Sequence, residues 1–203
     1  MKLRYSPTSP YVRKVVVTAA ERGLEDQIER IPTNAQDLKS DLSTVNPLGK
    51  VPALILNDGT ALYDSPVICE YLDSQAEGAP LLPPAGPARW TALRQQALAD
   101  GIMDAAILRM LETVRRPEPL RWDGWVEVQK GKVLRALDTL ERDAGDLKGP
   151  LTLGQIAVGC ALGYLDFRFA ADNWRVGRPG LAAWYEGFAQ RPSMQASTPP
   201  ENA

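Results

Sequence analysis

The sequence predicts an α/β domain over residues 1–76 joined by a linker at 77–87 to an all-α helical domain over residues 88–203. Three observations carry this reading. Short apolar runs at strand spacing occur among the first 75 residues and alternate there with helical patterns. The stretch Gly78-Ala79-Pro80 through Pro83-Pro84-Ala85-Gly86-Pro87 breaks helices and marks a connection. Beyond it, apolar residues recur at helical spacing in long runs.

Within the first domain, Leu3 and Tyr5 share one face of a strand over residues 2–5. Val12, Val15, Val16 and Ala19 form a helical stripe from Pro10 to Glu21, with Gly23 as its C-cap. Gln27 to Ile31 reads as a second short strand. Residues 32–50, rich in Pro, Thr, Asn, Asp and Ser, read as loop with one irregular helical turn. Ala53-Leu54-Ile55-Leu56 and Ala61-Leu62-Tyr63 flank Asn57-Asp58-Gly59-Thr60, where the Asp-Gly pair is the strongest hairpin signal in the chain. A helix then starts at Asp64-Ser65-Pro66 and runs to about Ser74. In the second domain, helices are predicted over about 88–114, 124–144, 153–170 and 180–190. The third has no polar face, as a buried helix requires, and opens on Thr152 and Gln155 in capping-box spacing, with Leu151 and Ile156 as its hydrophobic staple.

Composition narrows the chemistry. The 203 residues are 44% hydrophobic and 24% charged, which are ordinary values for a soluble globular protein. A formal charge of −2 and a pI near 5.3 disfavour nucleic-acid binding, whose affinity is mostly electrostatic. The chain has no histidine, so Ser-His-Asp and Cys-His catalysis and imidazole-ligated metals are excluded. Its two cysteines, Cys69 and Cys160, lie in apolar helical patterns and form no Cys-x-x-Cys. They read as buried, reduced and structural, which suits a cytoplasmic protein with no metal. The apolar run Val15-Val16-Val17 is too short for a signal-peptide core, and no stretch approaches a membrane span.

The most informative segment is Ser9-Pro10-Tyr11-Val12-Arg13-Lys14. Locally it is an N-cap serine followed by proline at the first helical position. A hydroxyl at a helix N-terminus is also well placed to hold a thiolate, because amide donors and the positive end of the helix dipole favour negative sulfur. The two roles are compatible, since a hydroxyl has one proton to donate and two lone pairs.

Four segments in order give the chain its resemblance. Ser9-Pro10-Tyr11-Val12-Arg13-Lys14 resembles the active-site start of the serine-type cytosolic glutathione S-transferases. Asn46-Pro47-Leu48-Gly49-Lys50-Val51-Pro52 resembles the segment with that family's cis-proline, Asp64-Ser65-Pro66-Val67-Ile68 its Glu/Gln-Ser motif, and Thr152-Leu153-Gly154-Gln155-Ile156 its helix-capping motif. The runs at 99–105 and 163–168 look most like a bacterial serine-type (theta/tau-like) branch.

The resemblance implies a thioredoxin-like N-terminal domain that binds glutathione as co-substrate, and a cytoplasmic detoxification enzyme that conjugates it to a hydrophobic electrophile. It implies that Ser9 stabilises the glutathione thiolate. Lys50 would meet the glycyl carboxylate, and Val51, beside a cis Pro52, the cysteinyl backbone. Asp64 and Ser65 would hold the γ-glutamyl end, although Asp64 is shorter than the Glu many members carry. Tyr11, Met103 and Ile107 are the candidates for an electrophile pocket at the domain interface, and the usual assembly is a homodimer. A transferase-like protein that binds glutathione or a partner without catalysis is the alternative. Thiol–disulfide exchange would need a cysteine in place of Ser9.

Overall fold

The computed structural model describes residues 1–37 and 39–200; positions 38 and 201–203, which the expected loop and helical domain include, lie outside the described residues. The chain divides into two units. One comprises Met1–Arg89 together with the described residues from Pro192 onward, and the other comprises Trp90–Arg191.

The first unit is built on β1 (Lys2–Tyr5), α1 (Pro10–Glu21), β2 (Glu29–Pro32), α2 (Leu42–Val45), β3 (Ala53–Ile55), β4 (Ala61–Leu62) and α3 (Ser65–Ser74). The strand order is β2-β1-β3-β4. β1 pairs with β2 in parallel, Leu3 opposite Arg30, and with β3 antiparallel, Leu3 opposite Leu54. β4 pairs antiparallel with β3, Leu54 opposite Leu62. The second strand begins two residues later than the sequence pattern suggests. A single-turn helix at Glu25–Gln27 precedes it, and pairing with β1 fixes its start, where the Glu29 N–H donates to the Met1 carbonyl at 3.0 Å. The β3–β4 hairpin closes through Leu56 N–H on the Thr60 carbonyl at 2.8 Å, with Gly59 at φ +89°, a conformation that favours glycine.

The linker is fixed by charged side chains as well as by burial of Leu81 and Leu82. Asp73, at the end of α3, accepts hydrogen bonds from the N–H groups of Leu81 (2.8 Å) and Leu82 (2.9 Å). Its carboxylate lies 3.2 Å from Arg22 Nε, and the Arg22 guanidinium donates to the carbonyls of Ala76, Glu77 and Ala79. Proline-rich backbone cannot form a helix or ladder, so these side chains supply the partners its polar groups need.

The second unit is helical: α4 (Gly86–Met110, which begins in the first unit), α5 (Asp123–Arg142), α6 (Leu153–Phe169) and α7 (Pro179–Phe188). A π-helical turn, Leu111–Arg115, follows α4. In α6 every residue from Leu153 to Leu165 is buried. Its capping box is complete: Gln155 N–H donates to Thr152 Oγ1 (3.3 Å), and Thr152 N–H donates to Gln155 Oε1 (2.9 Å). Gln155 Nε2 also donates to the Leu147 carbonyl at 3.0 Å. Gly154 lets α6 approach α4, because a Cβ there would stand 2.6 Å from the Ala92 carbonyl oxygen.

The last helix, α8 (Pro192–Ala196), has no counterpart in the sequence expectation and belongs to the first unit. Five residues are too few to show a periodic stripe. Among the described residues, no helix is long and apolar enough to cross a membrane.

Two outcomes are expected in urea denaturation. Thr152→Ala loses about 1 kcal/mol through the cap. Gly154→Ala loses about 1–3 kcal/mol by overpacking, which outweighs the gain of up to about 1 kcal/mol in helix propensity.

Candidate functional site

Strand direction decides where chemistry collects in the first unit. β3 runs against β1 and β4, so the start of β3 lies at the same end of the sheet as the C-terminal ends of β1 and β4. The segments attached there are the Ser6–Ser9 turn into α1, the Lys50-Val51-Pro52 entry to β3, and the Tyr63-Asp64-Ser65 entry to α3. Ser9, Val51 and Ser65, far apart in sequence, therefore belong to one end of one sheet.

Ser9 is the N-cap of α1 in extended conformation, with Pro10 at the first helical position. Its Oγ accepts from the Val12 N–H at 3.3 Å, and its backbone N–H donates to the Ser6 carbonyl at 3.2 Å. The hydroxyl is half-buried, and its proton has no acceptor among the described residues. It can therefore give one hydrogen bond to an incoming group while still capping the helix. Tyr11 lies half-buried in the first turn of the same helix.

The Val51–Pro52 peptide bond is cis, as is Tyr63–Asp64. Pro52 is buried and Val51 half-buried. Neither the N–H nor the carbonyl of Val51 has a hydrogen-bond partner among the described residues. This leaves one donor and one acceptor of a strand-like residue open for an extended peptide to pair with. Lys50 next to it is exposed.

Asn46 organises this entry. It is 1% exposed, its Nδ2 donates to the Lys50 carbonyl at 2.8 Å, and its Oδ1 accepts from the Leu48 N–H at 3.0 Å. The sequence alone gives Asn46 no role beyond its place in the motif over residues 46–52. Its signal is turn chemistry, an Asn whose side chain bonds backbone two residues on. Arg4 was likewise missed. Its Nε donates to Thr33 Oγ1 at 2.9 Å and its Nη2 pairs with Asp41. That hydrogen bond holds the Asp41 carboxyl below the usual carboxylate range.

At α3, Asp64 takes the N-cap position with no side-chain cap bond and is exposed. Ser65 is 2% exposed, and neither its N–H nor its hydroxyl has a partner among the described residues. An uncapped helix start with open donors is suited to a carboxylate. Met103 and Ile107 lie on α4 in the second unit, Met103 fully buried and Ile107 half-buried. Among the described residues, no group of three or more His, Cys, Asp or Glu is placed to hold a metal ion, and Cys69 and Cys160 are buried and form no disulfide.

Residues 8–75 match the family model for the glutathione S-transferase N-terminal domain, and residues 123–187 match that for its C-terminal domain. The chain belongs to the glutathione S-transferase family. Its glutathione S-transferase architecture, a thioredoxin-like domain with a small mixed sheet plus a helical domain, recurs in solved relatives. A glutathione transferase family member from Pseudomonas fluorescens Pf-5, solved with bound glutathione, is 46% identical over 98% of both chains with a TM-score of 0.95. A glutathione S-transferase from Methylobacillus flagellatus KT with glutathione bound is 40% identical, covering 98% of this chain and 99% of that one, with a TM-score of 0.92. The uncharacterised GST-like protein YibF of Escherichia coli K12 is 38% identical over 99% of this chain and the whole of its own length.

Truncating Asn46 removes two part-buried hydrogen bonds at the Val51 entry. Asn46→Ala is expected to lower the urea unfolding free energy by about 1–3 kcal/mol.

Proposed function

We propose that this chain is a glutathione transferase in which Ser9 holds the glutathione sulfur as a thiolate for attack on a hydrophobic electrophile. The observation that carries the reading is the open backbone pair of Val51 at the sheet end shared with Ser9 and Ser65. The tripeptide's cysteinyl segment adds to Val51 as a short strand, its N–H and carbonyl matched to the free carbonyl and N–H. That register directs the cysteine side chain to the start of α1. The γ-glutamyl carboxylate takes the Ser65 N–H and hydroxyl, and Asp64 attracts the γ-glutamyl ammonium. Lys50 is placed in sequence for the glycyl carboxylate. Glutathione-bound relatives at 40% and 46% identity support the same ligand.

Ser9 does not attack. With no histidine in the chain, nothing of the usual kind activates its hydroxyl as a nucleophile. It donates a hydrogen bond to the glutathione sulfur instead. This bond and the α1 dipole favour the thiolate over a free thiol of pKa near ~8.5. The thiolate then attacks an apolar electrophile beside Tyr11. The protein is proposed to work as a cytoplasmic homodimer in detoxification, an assembly that sedimentation velocity checks directly.

The test is retention on immobilised glutathione together with turnover of a reactive aryl halide. Binding without turnover would favour the non-catalytic reading. In Ser9→Ala, the pKa of bound glutathione, followed by thiolate absorbance, should rise by about 1–2 units, the equivalent of a charge-assisted hydrogen bond of about 1.5–3 kcal/mol. At neutral pH kcat should fall by about 3- to 100-fold, depending on how fully the parent's bound thiol is ionised, while glutathione affinity changes little. A Ser9→Ala enzyme with full thiolate formation and full kcat sinks the assignment.

A further inference from the structure

We propose that Arg13 is a positioning residue for Ser9, tying helix α1 to the C-terminal segment Ser193–Thr198 and so fixing where the Ser9 hydroxyl stands. The inference rests on the reading of Ser9 as the thiolate donor and adds the device that holds it in register.

Arg13 lies one turn beyond Ser9, and its backbone N–H closes the first turn of α1 on the Ser9 carbonyl at 3.0 Å. Its side chain turns away from solvent and is 9% exposed. Nε donates to Ser197 Oγ at 3.2 Å and Nη2 donates to the Met194 carbonyl at 2.9 Å. Among the described residues, no carboxylate lies within ion-pair distance of this guanidinium. A buried cation that could have been paired with an acid is instead spent on neutral acceptors at the end of a five-residue helix. The favourable part is geometric, because a planar fork bonded to two fixed acceptors has little freedom to move.

Those acceptors are themselves fixed. Ser197 Oγ donates to the Ser193 carbonyl at 2.8 Å, and Thr198 Oγ1 lies 3.3 Å from the Met194 carbonyl. Ser193 Oγ in turn donates to the carboxylate of Glu21, the last residue of α1. The C-terminal segment thus holds α1 at its second turn and at its end. Arg13 and Glu21 are eight residues apart, about 12 Å along the axis. Two attachments at that separation resist both sliding and tilting of α1, the motions that would displace its N-cap.

The expectation concerns the sulfur, not only the fold. A hydrogen bond to a thiolate weakens steeply as its geometry degrades, whereas tripeptide affinity resides at Val51 and Ser65. The experiment measures the pKa of bound glutathione, glutathione affinity and melting temperature for the full-length protein, Ser9→Ala, Arg13→Lys, Arg13→Gln and Ser197→Ala. Arg13→Lys keeps the charge and loses the fork, while Ser197→Ala leaves Arg13 intact and removes one acceptor. Both are expected to raise the bound-thiol pKa by about half to one unit, equivalent to a 3- to 10-fold change in its ionisation constant, with glutathione affinity within about threefold of the parent.

An unchanged pKa with a lower melting temperature in both variants would overturn the proposal, leaving Arg13 a structural tie alone. A pKa raised in Arg13→Gln but not in Arg13→Lys or Ser197→Ala would also overturn it, because charge rather than position would then be at work. If the parent and Ser9→Ala show the same bound-thiol pKa, the reading of Ser9 itself has failed, a pattern distinct from either of these. Should Arg13 variants fail to fold, Ser197→Ala carries the test.

Discussion

The single reversal of direction at β3 is the constraint from which the rest of the first unit follows. Had β3 run parallel to β1, its start would lie at the opposite end of the sheet from the mouth of α1, and a peptide paired to Val51 would be carried away from Ser9. Because it runs antiparallel, three entries that the chain makes at positions 9, 51 and 65 share one end. Each entry contributes something different. One offers a hydroxyl proton, one a free peptide edge, and one a helix start with its donors open. A ligand with a thiol, a peptide backbone and a carboxylate matches the three in kind.

The same economy appears within single groups. Ser9 Oγ uses a lone pair for the Val12 N–H and keeps its proton for a guest. Both helices that open at this end carry proline in the first turn, Pro10 in α1 and Pro66 in α3. Each therefore lacks one amide donor but starts with its backbone angle preset.

Much of this was legible in the sequence because it rests on local rules. Ser-Pro before an apolar stripe, Asp-Gly between two short apolar runs, and Thr-x-x-Gln before an unbroken apolar run each specify a cap or turn through bonds made within four residues. What could not be read depends on partners far away in the chain. Asn46 looks like an ordinary turn residue until its amide is seen holding the Lys50 carbonyl. Arg13 and Arg22 look like solvated charges on amphipathic helices, yet both are turned inward onto backbone carbonyls remote in sequence. Helix α8 is five residues long and gives no period to detect. Met103 matched a stripe that periodicity cannot divide into core and pocket, and it is fully buried.

The contact between Arg13 and Met194 closes a loop of 181 positions. On a ribosome adding about 5–20 residues per second, the acceptors for Arg13 are made roughly 9 to 36 seconds after the arginine itself. The sheet, α1 and α3 can assemble during that interval, but α1 waits for both of its attachments to the C-terminal segment until the whole helical unit has been synthesised. A nascent chain can therefore acquire the open backbone edge at Val51 well before its Ser9 helix is held in place.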